Sequence, residues 1–250
     1  MNTNSNGYTI VYTSIIVILV AAILAAVSMA LKPLQDANIK ADTISQMLTA
    51  AQYATKDELE SKSNDEILSI YKENITDAFL IRLDGSKDRD LDAKGNGEVF
   101  STNQLKAQNS ALKIGKTDGV VLPVYNFDFN GKKVTVVAIY GAGLWGPVWG
   151  YIALEPDHSS IVGAYFDHAS ETPGLGAKIK DDPSFRAQFA GKKIDFSAEP
   201  VFAIVKGGVP DGQQNAVDAI TGATMTSKGL SAAIASWMDL YKPYLTKVEE

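Results

Sequence analysis

The 250-residue sequence contains no cysteine. Disulfides, thiolate-bound iron–sulfur clusters and cysteine-based zinc sites are therefore excluded for this chain. Histidine occurs only twice, as His158 and His168, in no recognisable metal-ligand spacing, so we expect no protein-bound transition metal. Any electron chemistry must then depend on a cofactor that needs no thiolate.

Positive charge is also scarce. The chain has 23 lysines and arginines against 29 acidic residues, a formal net charge of −6. Since a nucleic-acid partner requires a basic face, we predict no such partner. The 46% hydrophobic share is ordinary for a globular protein. The length suits one good-sized domain with an appendage, or two small domains.

Charged residues are missing altogether from residues 8–31, where Ile, Val, Leu and Ala predominate. As a helix this segment would be about 36 Å long, enough to cross the hydrocarbon core of a membrane. A cleaved signal peptide is the alternative, but the segment is longer than usual and no Lys or Arg precedes it. We therefore predict an N-terminal tail and retained transmembrane helix in residues 1–31. Lys32 and Lys40 follow the span, and the positive-inside rule would place the rest of the chain in the cytoplasm.

The remaining sequence changes character once. Residues 32–77 have helical spacing of apolar residues and are predicted to form a helical juxtamembrane connector, interpreted as a solvated spacer. Residues 78–250 are predicted to form one domain. It has several β-rich segments, a hairpin at Asn130-Gly131 and a closing helix after Ser227. The expected fold class is α+β, with a mostly antiparallel sheet and flanking helices behind the single transmembrane helix.

The most informative motif is TGATMTS at residues 221–227, directly before the predicted closing helix. A glycine turn at a helix N-terminus suits a phosphate, because free backbone N–H groups and the helix dipole both favour an anion. Thr226 or Ser227 is predicted to cap the helix. Spacing alone leaves a plain helix cap after a glycine turn as the alternative, and a Walker-type loop is excluded by the glycine spacing.

Two further glycine-rich segments stand out. GAGLWGPVWG at residues 141–150 is predicted to be a loop between strands. Its tryptophans could offer an aromatic face to a ring system or dock onto a membrane partner, or they could fill the core. HASETPGLG at residues 168–176 is predicted to form a type II turn through Pro173-Gly174. The turn does not account for Glu171 and Thr172 beside it.

Together, these three segments closely resemble the family of the C subunit of the Na⁺-translocating NADH:quinone reductase, within the wider FMN-binding-domain family. The resemblance extends from the anchor to the end of the chain and is weakest over residues 34–75. The GLWGPVWGY segment, the VKGG segment at residues 205–208 and the YLTKV segment at residues 244–248 favour this family over the related G subunit of the Rnf complex.

The resemblance implies an electron-carrier subunit of a sodium-pumping NADH:quinone oxidoreductase. FMN would be joined through its phosphate to Thr224 by a separate flavin transferase, with Asp218 as the aspartate of the motif. Thr221 stands where serine is more usual. The cofactor-binding residues implied by the resemblance are Asp218, Thr221, Gly222, Ala223, Thr224, Glu171, Thr172, Leu175, Gly176 and Trp145, of which the last five would border the flavin ring or pack near it.

The resemblance also implies partners and a location. Electrons would pass between redox centres of neighbouring subunits of the complex, in a bacterial inner membrane. The soluble domain would be periplasmic, contrary to the placement from Lys32 and Lys40. Three alternatives stay open from the sequence. They are an Rnf-type G subunit, a membrane-anchored docking or assembly subunit without a working flavin, and a sensor that binds a flavin reversibly.

Overall fold

The structure is a computed structural model that describes residues 6–247. Its contacts divide the chain into two compact units, with the boundary between Lys40 and Ala41. Helix α1 runs from Asn6 to Ala50. Its apolar part is exposed and has a mean hydropathy of 2.8, so that it is long and apolar enough to span a membrane. The predicted long apolar helix is confirmed.

The second unit combines short helices, a large sheet and one long helix. The helices are α2 (Lys56–Glu60), α3 (Asn64–Asn74), α4 (Thr102–Lys113), α5 (Lys178–Asp181), α6 (Pro183–Ala187) and α7 (Thr224–Leu245). The strands are β1 (Ile75–Arg82), β2 (Lys87–Asp90), β3 (Val121–Phe129), β4 (Lys132–Ala142), β5 (Pro147–Leu154), β6 (Ile161–His168), β7 (Ala203–Val205) and β8 (Ala216–Asp218).

Six strands form one antiparallel sheet in the order β2-β1-β3-β4-β5-β6. Asn130 and Gly131 connect β3 to β4 and have positive φ angles of 57° and 93°, as a tight hairpin requires. Strands β7 and β8 form a separate parallel pair. The predicted α+β class with a mostly antiparallel sheet is confirmed.

Helix α7 covers the sheet with one apolar face. Leu230, Ile234, Trp237, Met238 and Tyr241 recur at three- and four-residue spacing and are all buried, which is the amphipathic pattern of a helix packed on a core. Contact with β4 is close enough that a Cβ at Gly141 would overlap the side chain of Ala233 on α7. The helix therefore lies directly on the strand that leads into the tryptophan-containing loop.

The interpretation of a solvated spacer is wrong for the end of α1. Ile44, Met47 and Leu48 are fully buried in the core of the second unit, together with Tyr71 of α3. Helical spacing alone could not show this, because the sheet that covers these residues is distant in sequence. The predicted domain boundaries, at residues 31/32 and 77/78, stay predictions.

The tryptophan-containing segment is only partly a loop. β4 continues to Ala142 and β5 begins at Pro147, so that Trp149 lies in a strand and is half-buried. Trp145 lies in the short connection between them and is 67% exposed. The two tryptophans thus have different environments, and of the two it is Trp145 that is placed to contact a ligand.

Candidate functional site

The turn before α7 brings a threonine to the first position of the helix. Gly222 has φ +82°, a left-handed conformation that favours glycine over residues with a side chain. Ala223 occupies the N-cap position, no side chain caps the helix, and α7 begins at Thr224. The backbone N–H groups of the first turn are then available for an anion. Thr224 itself is partly exposed.

The prediction that Thr226 or Ser227 caps the helix is wrong. Both residues lie inside the first turn of α7 and both are buried. The hydroxyl of Ser227 accepts a hydrogen bond from the Ile220 N–H at 3.2 Å, which closes the TGAT turn onto the helix. The hydroxyl of Thr226 donates to the Glu171 carboxylate at 2.5 Å. The two buried hydroxyls therefore stabilise the turn through hydrogen bonds to Ile220 and Glu171.

Asp218 stabilises the backbone that precedes the TGAT turn. It ends β8, and its exposed carboxylate accepts the Val209 N–H at 2.7 Å. Its own N–H donates to Gln188 Oε1 at 2.8 Å. Asp218 therefore fixes the loop that precedes β8 and the strand end from which residues 219–223 extend. Thr221 and Gly222 are exposed at the tip of this turn.

The connection between β4 and β5 lies against the same helix end. Gly143 N–H donates to the Gly146 carbonyl at 2.7 Å and closes a tight turn. Within it, the Trp145 N–H donates to Glu171 Oε1 at 2.9 Å. The Trp145 carbonyl accepts from Ser170 Oγ at 3.1 Å. The backbone of Trp145 is thus held on both sides, while its ring is presented to solvent.

The third segment, residues 168–176, contains the predicted turn. The Leu175 N–H donates to the Thr172 carbonyl at 3.1 Å, and Gly174 has φ +74°, as expected of a type II turn. Thr172 is exposed, and the Leu175 side chain is 44% exposed. A Cβ placed on Gly222 would come within 3.0 Å of Leu175 Cδ2. The structure therefore brings Leu175 against the TGAT turn.

Glu171 is the point where these segments meet. It is only 5% exposed and accepts hydrogen bonds from the Thr226 hydroxyl and the Trp145 N–H. Burial alone would raise the pKa of its carboxyl. The bonds from Thr226 and from the backbone of the 144–146 turn outweigh burial and lower that pKa below its ordinary value. Glu171 is therefore an ionised carboxylate beneath the surface rather than a side chain on it.

Sequence reasoning missed a polar cluster at the base of residues 168–176. Asp167, at the end of β6, forms an ion pair with Lys180 of α5 at 2.8 Å. The ion pair connects the two sides of residues 168–176, because one partner precedes this segment and the other follows it. Gln46 of α1 donates to the same carboxylate at 3.2 Å. Asp167 and Gln46 are buried. They are 121 residues apart in the sequence, so no local pattern connects them. The only local sign is an Asp directly after the apolar IVGAYF segment.

The surface above Glu171 is apolar. Leu144, Trp145, Leu175 and Met225 are each between 44% and 67% exposed. Exposed large apolar side chains that occur together mark a ligand or partner site. With the uncapped start of α7 beside them, the site offers an apolar surface for a flat ring, anion-binding N–H groups and a hydroxyl on Thr224. These features fit a phosphorylated aromatic cofactor.

Comparison with known proteins points to the same region. Residues 143–239 match the model of the FMN-binding domain, a segment that includes all three glycine-rich turns from Gly143 onward. It also includes Asp218, Thr224 and Glu171.

Individual relatives are similar beyond this domain. The chain is 34% identical to the C subunit of the Na(+)-translocating NADH-quinone reductase of Vibrio parahaemolyticus, over 67% of this chain and 65% of that protein. This match spans slightly less than two thirds of that relative's length. The chain is 31% identical to the corresponding protein of Vibrio vulnificus strain YJ016, over 91% of this chain and 89% of that protein. The crystal structure of the Parabacteroides distasonis C subunit superposes with a TM-score of 0.71 at 34% identity, covering 88% of this chain and 98% of that one.

Proposed function

Since this chain belongs to the family of C subunits of the Na(+)-translocating NADH-quinone reductases, we propose that it is an electron-carrier subunit of such a complex, with FMN attached through a phosphoester to Thr224. When bound, the flavin supplies the redox chemistry, and the protein supplies attachment, orientation and electrostatic environment. Its partners would be the other subunits of the membrane complex, and a flavin transferase would form the ester during maturation.

The observation that carries this proposal is the position of Thr224. It is the first residue of an uncapped helix and is partly exposed. The exposed side chain of Met225 follows it, and the exposed side chain of Leu175 lies against Gly222, two residues before it. A phosphate on its hydroxyl would lie at the N-terminus of α7, where unpaired N–H groups and the helix dipole stabilise negative charge. Thr226 and Ser227 are less suitable acceptors because both are buried and their hydroxyls already support the turn.

The side chains around Thr224 have separate roles in this proposal. Trp145 and Leu175 would contact the flavin ring, and Gly222 and Ala223 leave space for it. Glu171 and Gly176 are buried and would support these residues from under the surface on which the flavin ring rests. Thr172 is exposed at the turn edge, where its side chain can contact a ligand while its carbonyl holds the type II turn.

The proposal is tested by replacing Thr224 with alanine in a chain co-expressed with a flavin transferase. Ultraviolet fluorescence of the denatured protein band should be lost completely, because the substitution removes the oxygen through which the ester forms. Thr117→Ala is the matched control, since that hydroxyl is also exposed but lies outside the proposed site, and it should keep its fluorescence. Fluorescence that persists in Thr224→Ala would show that the flavin is attached elsewhere.

We further propose that the second unit is periplasmic, where free FMN would be scarce and a covalent bond would prevent its loss. The absence of cysteine makes a clean test possible. A single cysteine at the exposed Asn103 of α4 (Asn103→Cys) should react with a membrane-impermeant maleimide in intact spheroplasts. Labelling that requires lysis would place the unit in the cytoplasm.

A further inference from the structure

The side-chain oxygens of Glu171 face hydrogen-bond donors. The Trp145 N–H and the Thr226 hydroxyl donate to its two oxygens at 2.9 and 2.5 Å. A backbone N–H cannot accept a hydrogen bond, so the oxygen that faces Trp145 must remain an acceptor. An ionised carboxylate satisfies both partners at once. A protonated acid or an amide could still accept from the Trp145 N–H, but only through a neutral oxygen. It would turn its own donor toward the Thr226 hydroxyl, which would then have to accept the hydrogen bond that it now donates.

The surrounding glycines show that the carboxylate determines how closely the segments approach. A Cβ on Gly143 would overlap Glu171 Oε1, and a Cβ on Gly176 would overlap Glu171 Oε2 and Thr226 Oγ1. Each oxygen is thus enclosed by backbone that has no side chain. The carboxylate of Glu171 therefore sets the distance between three segments, which are the 143–146 turn, the end of residues 168–176 and the first turn of α7.

The hydrogen bonds connect the two parts of the site that a flavin would need. Thr226 is two residues beyond Thr224 on the first turn of α7, and Trp145 carries the exposed ring. Glu171 joins these residues through its two oxygens. Being 5% exposed, it lies under the surface on which a ring would rest.

We propose that Glu171 is a positioning residue, whose carboxylate sets the distance and orientation of the Trp145 turn relative to the start of α7, and which does not itself contact the flavin. One part of this inference rests on the proposed function: the consequence that the attached flavin is immobilised. The link between the two turns is a property of the chain without cofactor and can be tested there.

The first experiment uses the full-length chain expressed without flavin transferase. Hydrogen exchange is measured at the Trp145 amide in wild type and in Glu171→Gln. Glutamine has nearly the same volume as glutamate, so a role in packing alone predicts no change. Loss of a charge-assisted hydrogen bond predicts that protection of this amide falls about tenfold or more. Glu98→Gln is the control, because Glu98 also accepts from a side chain and a backbone N–H but lies near β2. It should leave Trp145 unchanged.

The second experiment uses the flavin-loaded chain and fluorescence anisotropy of the attached flavin. Glu171→Gln keeps Thr224 and should still carry flavin, but with lower anisotropy than wild type. Thr226→Val removes one donor to Glu171 while keeping the shape of the side chain. It should also lower the anisotropy, but by less than Glu171→Gln does. If Glu171→Gln does not fold, Thr226→Val decides the question by the same readout.

Unchanged Trp145 protection together with unchanged anisotropy in folded variants would overturn the proposal. Failure of the proposed function looks different. A wild-type chain that never acquires flavin removes the anisotropy measurement but not the exchange measurement. Flavin attached at a residue other than Thr224 would contradict the proposed function while leaving the Glu171 link intact.

Discussion

The two ends of helix α7 differ in what they offer a ligand. Its N-terminal end has no side-chain cap, lies over the buried carboxylate of Glu171, and is surrounded by exposed apolar side chains. Its C-terminal end, about 33 Å away for 22 residues, borders a cavity of about 790 Å³ lined by residues that include Thr76, His158 and Tyr244.

Ligand sites are usually concave, so shape alone would direct attention to the C-terminal cavity. The family match and the glycine-rich motifs direct it to the other end, where the surface is exposed. A ligand held by a covalent bond does not depend on enclosure for its retention. An exposed position also leaves one face of a flavin open to a redox partner.

Rigidity is achieved differently at the two ends. At the C-terminal end, Lys242 Nζ donates to the Phe196 carbonyl at 2.7 Å, and the rings of His158 and Tyr244 stack at 6.0 Å. Lys242 is exposed, while His158 and Tyr244 are half-buried. At the N-terminal end, a backbone N–H group of the 143–146 turn and a hydroxyl of α7 both donate to one buried carboxylate, which belongs to a third segment. We therefore expect changes at the N-terminal end to have the larger consequences.

The largest effect is expected for Gly229→Ala. A Cβ at this position of α7 would overlap the carbonyl oxygen of Ala142 at the end of β4. Alanine improves helix propensity by about 1 kcal/mol, but a clash with backbone cannot be relieved by a rotamer change. We expect a net loss of about 1–3 kcal/mol in the free energy of unfolding, measured by chemical denaturation in detergent. Lys228→Ala, at the exposed neighbouring position, should stay within about 0.5 kcal/mol of wild type. Equal stability of the two variants would mean that α7 does not lie directly on β4.

An intermediate effect is expected from acid pH. The folded-state pKa of Glu171 is lowered, so its contribution to stability is complete above the unfolded pKa of about 4.3 and is lost as pH falls through the lowered folded value. The protection factor of the Trp145 amide should therefore be constant from neutral pH down to about 5 and decrease only at lower pH. A decrease that begins near pH 6 to 7 would implicate a histidine instead.

The smallest effect is expected for His158→Gly at the C-terminal end. His158 has φ +55°, a conformation that glycine adopts without steric cost, although glycine also loses more entropy on folding. We expect the free energy of unfolding to change by less than about 1 kcal/mol and flavin attachment to remain complete. Loss of flavin in this variant would contradict the separation of the two ends.

Much of the fold could be predicted from local sequence. The uncharged segment at residues 8–31 indicates the apolar helix, Asn130-Gly131 indicates the hairpin, and the spacing from Leu230 to Tyr241 indicates α7. Each of these signals depends on residues that are neighbours in sequence. The first residue of α7 was missed because Thr226 and Ser227 are good cap residues, but their hydroxyls are used by Glu171 and Ile220.

The motifs predict which segments form the candidate site, but they do not predict the contacts between those segments. Pro173-Gly174 predicts a type II turn, and TGAT predicts an anion-binding helix start. That Glu171 joins them is a tertiary contact across 55 residues, and the Gln46–Asp167 bond spans 121. No periodicity or propensity reports such pairs. A glutamate beside a glycine turn looks like a surface residue until the fold buries it.

The central claim, that Thr224 carries the flavin, is tested most directly by peptide mapping of the wild-type chain after co-expression with a flavin transferase. Cleavage after Lys206 and Lys228 releases residues 207–228, which contain all four hydroxyls of the TGATMTS turn. Fragment masses should place one FMN phosphoester on Thr224. An unmodified peptide, or a modification on Thr221, Thr226 or Ser227, would contradict the claim.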